Sequence, residues 1–396
     1  MQRLARIKQL AHAYIVYPSA VHNRLEHALG TLSIAGRMCD QLSVTKRDKQ
    51  IVRAAALIHD VGHGPYSHLF EEPMRFVNGE DFNHENVTKL IAEHDPSTRR
   101  ALGKIREEVL NVLSGDSFLS DIVSSSLDAD KMDYLRRDSY HTGVAYGIFD
   151  LERVVRSVCR IHETDRDYVA IEEKGMEALE SYRLARYSMH TQVYEHHARL
   201  IADDMFVRAV IGGIQSGTLS KEYFDASNAD KFVPKFMELD DNSIEHYIME
   251  HSTDQSRALI EDIRSRRLLK RAYVLPLTQE KVPNPLRREK LINMTKDKVQ
   301  EAERKISVEA KVEPGRVIVH LQSITIKLYE KFEESIGKKE KPILILRRDG
   351  SVSSLDESPI SASLTPIRRL FVFCPERKVN AVKSAAEKQF QVKSTY

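Results

Sequence analysis

His59 and Asp60 stand side by side at the end of the apolar run AALIHD, and they are the pair in this chain best suited to chemistry. An imidazole nitrogen and a carboxylate oxygen are both ligands for divalent ions. Neighbouring side chains on a helix diverge by about 100°, so both reach one ion only from its flank or from a frayed terminal turn. VGHGPYSH supplies such a terminus, because Gly62, Gly64 and Pro65 interrupt the helical pattern. Upstream, RLEHALG carries His27 on a separate helix; downstream, LDADKMDYLRRD carries Asp130 on another. Together His27, His59, Asp60 and Asp130 offer two imidazoles and two carboxylates, which suits one divalent ion with room for water or phosphate oxygens. A His-Asp pair also arises by chance, and Asp130 alone would serve as a helix cap in the cap-rich stretch SSSLDAD. The combination of RxxHxxG, HGPxSH and DxDKxDY separates a metal site from that coincidence.

The chain holds sixteen histidines, eight of them within the first 94 residues. His63 lies four residues beyond His59, one helical turn if the helix persists. His68 and His84 follow a polar, proline-containing stretch, where surface histidines without a role are the plain alternative. A metal that binds phosphate oxygens needs a proton donor for the leaving oxygen, and histidine suits that task near neutral pH. Arg24 precedes His27 by three residues, Lys131 follows Asp130, and Tyr134 and Asp138 come one and two turns later. Arg186, His190 and Tyr194 are spaced by four in the longest periodic segment, residues 175–212. Such a stripe is either a solvated face or a clamp for a metal-bound polyphosphate, with cations on the non-bridging oxygens and tyrosine as donor or stacking ring. No Walker loop and no dinucleotide-type GxGxxG is present.

These residues need helices to hold them, and residues 1 to about 270 carry helical periodicity. Helices are expected from His22 to Leu42, around Val52–Ile58, near 85–94, 104–114, 127–140 and 150–159, and over 175–212 as one long helix or two abutting ones. DYVAIEE is the one strand expected there, and KEYFDASNADKF reads as a loop. After residue 270 come the β-branched or aromatic runs RKISVEAKV, GRVIVHL, KPILILRR and RRLFVFC, the loop RRDGSVSSLDESP and a helix at AVKSAAEKQF. The chain has 396 residues, a formal net charge of +2 and three scattered cysteines. That excludes a disulfide scaffold, a Cys-rich zinc module and a strongly basic arm. The basic run 263–271, IRSRRLLKR, is read as a solvated face or interface rather than a nucleic-acid contact. No apolar run approaches the ~20 residues of a membrane span, so the expectation is a cytoplasmic protein with no membrane partner.

RLEHALG, HDVGHGPYSH, NHE and DADKMDYLRRD resemble the HD-domain phosphohydrolase superfamily, and within it the deoxynucleoside triphosphate triphosphohydrolase branch. That branch includes bacterial dGTPases and the SAM-and-HD-domain dNTPase of animals. The resemblance runs from QRLARIKQL through MHTQVYEHH and continues more weakly beyond. With the change in composition near residue 270, the fold expected is mainly α, a helical core over 1–270 and a C-terminal α+β segment over 271–396 that regulates, completes an oligomer or only stabilises. The resemblance implies that the helical core is an HD domain. It implies one divalent ion per subunit (Mn²⁺, Mg²⁺, Fe²⁺, Ni²⁺ or Zn²⁺) on His27, His59, Asp60 and Asp130. It implies active-site roles for His63, His68 and His84, with His68 as general acid toward the leaving sugar oxygen. Arg24, Lys131, Tyr134 and Arg186 match triphosphate contacts, Gln9 and Asp138 match sensors of the sugar 3′-hydroxyl, and Tyr194 matches a tyrosine against the deoxyribose, with His190 behind it.

The implied reaction converts a dNTP substrate to deoxynucleoside and inorganic triphosphate, in a homo-oligomer (dimer or tetramer) that in this family takes nucleotide activators between subunits. The animal member reads an activating guanine with an acidic residue just upstream of the QRL motif and an arginine within it. Here the chain begins at Met1-Gln2 and has Ala5 at the arginine position, so guanine-specific activation and a SAM domain are not expected. Two other readings stay open: an HD-fold phosphohydrolase for another nucleotide (a monophosphate, a cyclic nucleotide or a single-stranded nucleic-acid end), and a non-enzymatic nucleotide-binding sensor.

Overall fold

The computed structural model describes residues 1–396 except 116, 164–165, 253, 325–342 and 356–366. The end of the loop expected at RRDGSVSSLDESP and the start of the run KPILILRR lie outside the described residues. The chain divides into two compact units: Met1–Tyr194 with Val210–Thr253 and Lys327–Leu364, and Glu195–Ala209 with Asp254–Ile326 and Thr365–Tyr396. No helix among the described residues is long and apolar enough to cross a membrane.

The first unit is a bundle in which helix α1 (Arg24–Gln41) packs against α2 (Lys46–Ile58) and α8 (Ala129–Thr142). Asn23 starts α1 by accepting hydrogen bonds from the backbone N–H of Leu25 and Glu26, both at 3.1 Å. Thr45 caps α2 in the same way. Ile34 and Met38 of α1, Val52, Ala55 and Ala56 of α2, and Met132 and Leu135 of α8 are buried. The two alanines leave little side chain between helices and so permit close approach. Around this centre lie α3 (Glu71–Asn78), α4 (His84–His94), α5 (Pro96–Leu102), α6 (Arg106–Ser114), α7 (Phe118–Val123), α9 (Leu151–Ser157) and α10 (Met176–Met189).

This unit also carries a four-stranded sheet in the order β1 (Val158–Glu163), β2 (Arg166–Glu172), β5 (Leu344–Leu346), β6 (Val352–Ser354), with only β2–β5 parallel. β2 matches the strand expected at DYVAIEE. The helix expected near 150–159 stops at Ser157 and gives way to β1, because Ile161 packs with Tyr168, Ala170 and Leu344 in a small cluster of their own. The long segment 175–212 is two helices: α10 runs on into a π-turn at His190–Tyr194, and α11 spans His197–Gln215, its stretch through Ala209 belonging to the second unit. KEYFDASNADKF is only partly loop, since Asn228 caps α12 (Ala229–Met237). Helix α13 (Asp241–His251) completes the unit.

The second unit contains α14 (Asp254–Arg264), α15 (Pro285–Ile292), α16 (Lys296–Ala310) and α17 (Val379–Phe390). Its antiparallel sheet has the order β3 (Lys270–Pro276), β7 (Ile367–Cys374), β4 (Ile318–Ile324). Tyr273, Val372, Ile306, Val382 and Phe390 share its core. RKISVEAKV, expected as a β-type run, is the end of α16. Ala302, Ile306 and Ala310 are buried at helical spacing while Val308 is 72% exposed, so the burial follows period 3.6 and not period 2.

Candidate metal centre and active site

Every proposed metal ligand sits at or near a helix end. His27 lies in the first turn of α1, His59 is the residue that ends α2, and Asp130 lies in the first turn of α8, whose N-cap Asp128 accepts from the Lys131 N–H at 2.7 Å. Helix ends leave backbone groups and side chains free of the cylinder wall, and the N-terminus of α8 favours a carboxylate.

The four side chains converge. His27 Nε2 is 2.9 Å from Asp130 Oδ1 and 3.5 Å from Asp60 Oδ2; His59 Nε2 is 3.3 Å from Asp60 Oδ1 and 3.7 Å from Asp130 Oδ1. The other nitrogen of each ring is used. His27 Nδ1 donates to Asp133 Oδ2 and His59 Nδ1 donates to the Ala56 carbonyl, each at 2.8 Å. Both Nε2 atoms are buried without a hydrogen-bond partner. With each Nδ1 engaged elsewhere, the two Nε2 atoms and the two carboxylates face one point, and with both rings neutral they are the donor set of a divalent cation. Burial would lower the His27 pKa, but Asp130, Asp133 and Asp60 reverse this and hold it up at about 10. Burial would raise the Asp60 carboxyl, yet Arg24, His59 and His63 keep it well below the usual carboxylate range, and His27 and His59 do the same for Asp130.

The turn after Asp60 is tied down from several sides. Thr88 of α4 donates to the His59 carbonyl at 2.9 Å and accepts from the Gly62 N–H at 3.0 Å. A Cβ at Gly62 would fall 2.2 Å from the His84 carbonyl oxygen, so glycine is needed for α4 to approach. Buried Arg3 donates to the carbonyls of Val61 (2.6 Å) and His63 (2.8 Å). Tyr66 (φ 56°) and Ser67 (φ 62°) are both left-handed, a strain of about 1–3 kcal/mol each. Asp241 offsets it by accepting from the Tyr66 N–H at 2.7 Å, and the Ser67 hydroxyl donates to the Lys8 carbonyl at 2.7 Å.

His63, His68 and His84 lie together beyond this turn. The rings of His63 and His84 stack at 3.9 Å, and that of His68 stands edge-on to both, at 4.6 and 5.2 Å. Glu71 of α3 holds them: its Oε1 accepts from His68 Nδ1 at 2.8 Å and from His84 Nδ1 at 2.7 Å, while its Oε2 is 2.5 Å from Arg75. Asn83, N-cap of α4 with Asn86 closing the box, sets His84 at the first helical position. Desolvation and the charge of Arg24 lower the His63 pKa, and desolvation outweighs Glu71 in lowering that of His68.

Arg24 is engaged, with Nη1 2.5 Å from Asp60 Oδ2 and Nε 2.9 Å from the Ser67 hydroxyl. Lys131 pairs with Asp128 at 2.9 Å, and Asp128 and Asp130 keep it protonated against burial. Burial raises the Tyr134 phenol to about 12, even though Arg186 and Lys131 act in the opposite direction. Asp138 uses both oxygens: Oδ1 is 2.7 Å from His22 Nε2, and Oδ2 accepts from the Tyr194 hydroxyl at 2.7 Å. Tyr194 is edge-on to Tyr134 at 6.2 Å and to His190 at 5.0 Å, and Tyr134 is 6.4 Å from His27. Gln9 donates its N–H to the His22 carbonyl at 3.0 Å, and its buried Oε1 has no hydrogen-bond partner.

Comparison with known proteins follows the same division of the chain. Residues 24–138 match the HD domain and residues 149–396 match the HD associated region. An uncharacterised protein of Methanocaldococcus jannaschii, MJ1154, is 31% identical over 388 residues, which span 96% of this chain and 75% of that one. The chain belongs to the HD-domain phosphohydrolase superfamily. Deoxynucleoside triphosphate triphosphohydrolase SAMHD1 of Homo sapiens is 28% identical over 382 residues, covering 83% of this chain and 59% of the human protein. A solved structure of a hypothetical protein from Aquifex aeolicus superposes with a TM-score of 0.72 at 26% identity, covering 97% of this chain and 92% of that one. The HD pair of the superfamily is His59-Asp60 here, and His27, His59 and Asp60 offer ligand atoms within 4.8 Å of one another, a cluster that fits the metal-dependent phosphohydrolase chemistry of HD enzymes.

Three contributors escape a reading of the sequence. Asp133 lies one turn past Asp130, a spacing visible in DADKMD. Glu71 lies three residues past His68, also visible in retrospect. Arg3 carries no local signal, since only the fold reveals that its partners are the carbonyls of Val61 and His63.

Proposed function

We propose that this HD phosphohydrolase converts deoxynucleoside triphosphates to deoxynucleoside and inorganic triphosphate. The observation that carries the reading is the line of side chains leading away from the metal donors: Tyr134 next to His27, Tyr194 edge-on to Tyr134, and Asp138 locking the Tyr194 hydroxyl against His22. A rigid aromatic wall at that place suits a deoxyribose, whose missing 2′-hydroxyl leaves room for the ring. Gln9, with its unmatched Oε1, and Asp138 then face the 3′-hydroxyl side. SAMHD1 relatives from three further organisms, 28–29% identical to this chain, support the same substrate class.

When bound, the divalent ion supplies Lewis-acid polarisation at a phosphoryl oxygen. Lys131 and Arg186 neutralise non-bridging oxygens, and Tyr134, protonated at neutral pH, donates to them. Arg24 shares its guanidinium between Asp60 and the incoming phosphate. His68 gives a proton from Nε2 to the departing O5′, because Glu71 occupies its Nδ1 and stabilises the imidazolium. His63 and His84, stacked on each other, hold the His68 ring edge-on to both. The same reading keeps the chemistry within residues 1–270, assigns 271–396 to regulation or homo-oligomer assembly, and expects a cytoplasmic location.

A product assay tests it: purified protein with Mn²⁺ or Mg²⁺ is offered the four dNTPs, the NTPs, nucleoside monophosphates and short oligonucleotides. Inorganic triphosphate released from dNTPs is the expected result. Orthophosphate or pyrophosphate as sole product, or cleavage of monophosphates alone, overturns the reading.

A further inference from the structure

His63, His68, Glu71 and His84 form a second convergent group beside the metal donors. Each offers one ligand atom, and the four atoms all lie within 4.8 Å of one another. His68 Nδ1 and His84 Nδ1 both point at the same oxygen, Glu71 Oε1, at 2.8 and 2.7 Å. His63 is 1% exposed, and neither of its ring nitrogens has a hydrogen-bond partner, although Nε2 comes within 3.2 Å of Asp60 Oδ1. A buried imidazole without a donor or acceptor partner is costly unless something else takes its lone pair.

We propose that these four residues are a second metal site, selective for Zn²⁺-like ions, and that filling it switches hydrolysis off. Three imidazoles and one carboxylate match the nitrogen-rich, four-coordinate preference of Zn²⁺, Co²⁺ or Ni²⁺, whereas Mg²⁺ demands oxygen ligands. His68 and His84 bind by moving the ring proton from Nδ1 to Nε2, which frees the Nδ1 lone pairs; no group is lost and the carboxylate stays ionised. The ion takes the place of the two protons now shared with Glu71 Oε1. Four protein ligands leave no open position for water, the mark of a closed site rather than a catalytic one. With Nδ1 on the ion, His68 no longer has Glu71 to stabilise its imidazolium. The switching half rests on His68 being the proton donor in the proposed hydrolysis; the binding half does not.

The full chain is equilibrated with Zn²⁺, freed of excess ion and assayed for metal content. Two ions per chain are expected for the parent protein and one each for Asp130→Asn and Glu71→Gln. His84→Gln is a second probe of the same site, and circular dichroism and a thermal melt verify folding of each variant. Co²⁺ gives an independent readout: intense tetrahedral visible absorption persists in Asp130→Asn and disappears in Glu71→Gln and His84→Gln. A folded Glu71→Gln protein with unchanged Zn²⁺ content and Co²⁺ spectrum overturns the site, as does one ion per chain in the parent protein at saturating Zn²⁺. Under saturating Mn²⁺, added Zn²⁺ lowers turnover by about 10²–10⁴-fold, the usual worth of an acid catalyst, and a chelator restores it. Full turnover with the second ion bound overturns the switch while leaving the site standing.

Discussion

Asp133 Oδ2 lies 2.8 Å from His27 Nδ1, on the side of the ring opposite the metal donors, and Arg137 grips both oxygens of the same carboxylate at 2.8 Å. The carboxylate fixes which nitrogen of His27 carries the proton and turns Nε2 toward Asp60 and Asp130. Partners of this kind are worth about 10–100-fold in metal affinity. Asp133→Asn is therefore expected to weaken Mn²⁺ binding by about that factor with little change in fold, as read by metal titration and circular dichroism. Unchanged affinity would remove Asp133 from the orienting role.

Gly30 is the last residue of RxxHxxG, and a Cβ there would fall 1.8 Å from Asp133 Oδ1 and 2.4 Å from Arg137 Nη2. Glycine to alanine inside a helix ordinarily stabilises by about 1 kcal/mol. Here the sign reverses: Gly30→Ala is expected to lower the thermal midpoint and weaken metal binding together, because Asp133 must move. A higher midpoint with intact metal affinity would refute this.

Bound Mn²⁺ is expected to raise the thermal midpoint, since an ion that binds only the folded chain stabilises it by about 2.7 kcal/mol at one hundred times its Kd. In Asp130→Asn that gain shrinks or vanishes. Melts with and without Mn²⁺, before and after chelation, measure it.

His68→Ala is expected to slow turnover by about 10²–10⁴-fold while retaining the ion on His27, His59, Asp60 and Asp130. Steady-state rates and metal content, taken on the same preparation, separate the two effects. A parent-like rate would strip His68 of its role.

His320 of β4 is 2.9 Å from Asp204 Oδ2. Burial lowers its pKa, but Asp204 and Glu195 raise it further, so the net shift is upward. A raised histidine contributes stability that is fully present below its unfolded value of about 6.5 and is lost as pH climbs through the folded value. Thermal melts across that range are expected to show stability falling with rising pH, and His320→Gln to flatten the slope. Equal slopes in both proteins would contradict the pairing.

Much of the site could be read from the chain because its residues are rare types held close in sequence. HDVGHGPYSH packs His59, Asp60 and His63 into five positions, and Gly62, which lets α4 approach, is part of the same motif. The orienting residues are harder: Asp133 and Glu71 are common types, identified only by what lies across from them. Ile306, Val308 and Val312 made RKISVEAKV look β-like, and it took the buried Ala302, Ile306 and Ala310 to reveal a helix. β1 was hidden for the opposite reason. No proline or glycine separates it from α9, and its pairing with β2 decides the conformation.

The contact between Arg24 and Asp60 also enters a charge balance. Asp60 and Asp130 bring two negative charges to the donor set, Arg24 returns one positive charge, and without an ion His27 is held protonated by its carboxylate neighbours and returns the other. A divalent ion must displace that proton, because a ring nitrogen binds metal only through its lone pair. The exchange of one proton for two positive charges turns a neutral cluster into a positive one. Metal loading therefore releases a proton and weakens as pH falls.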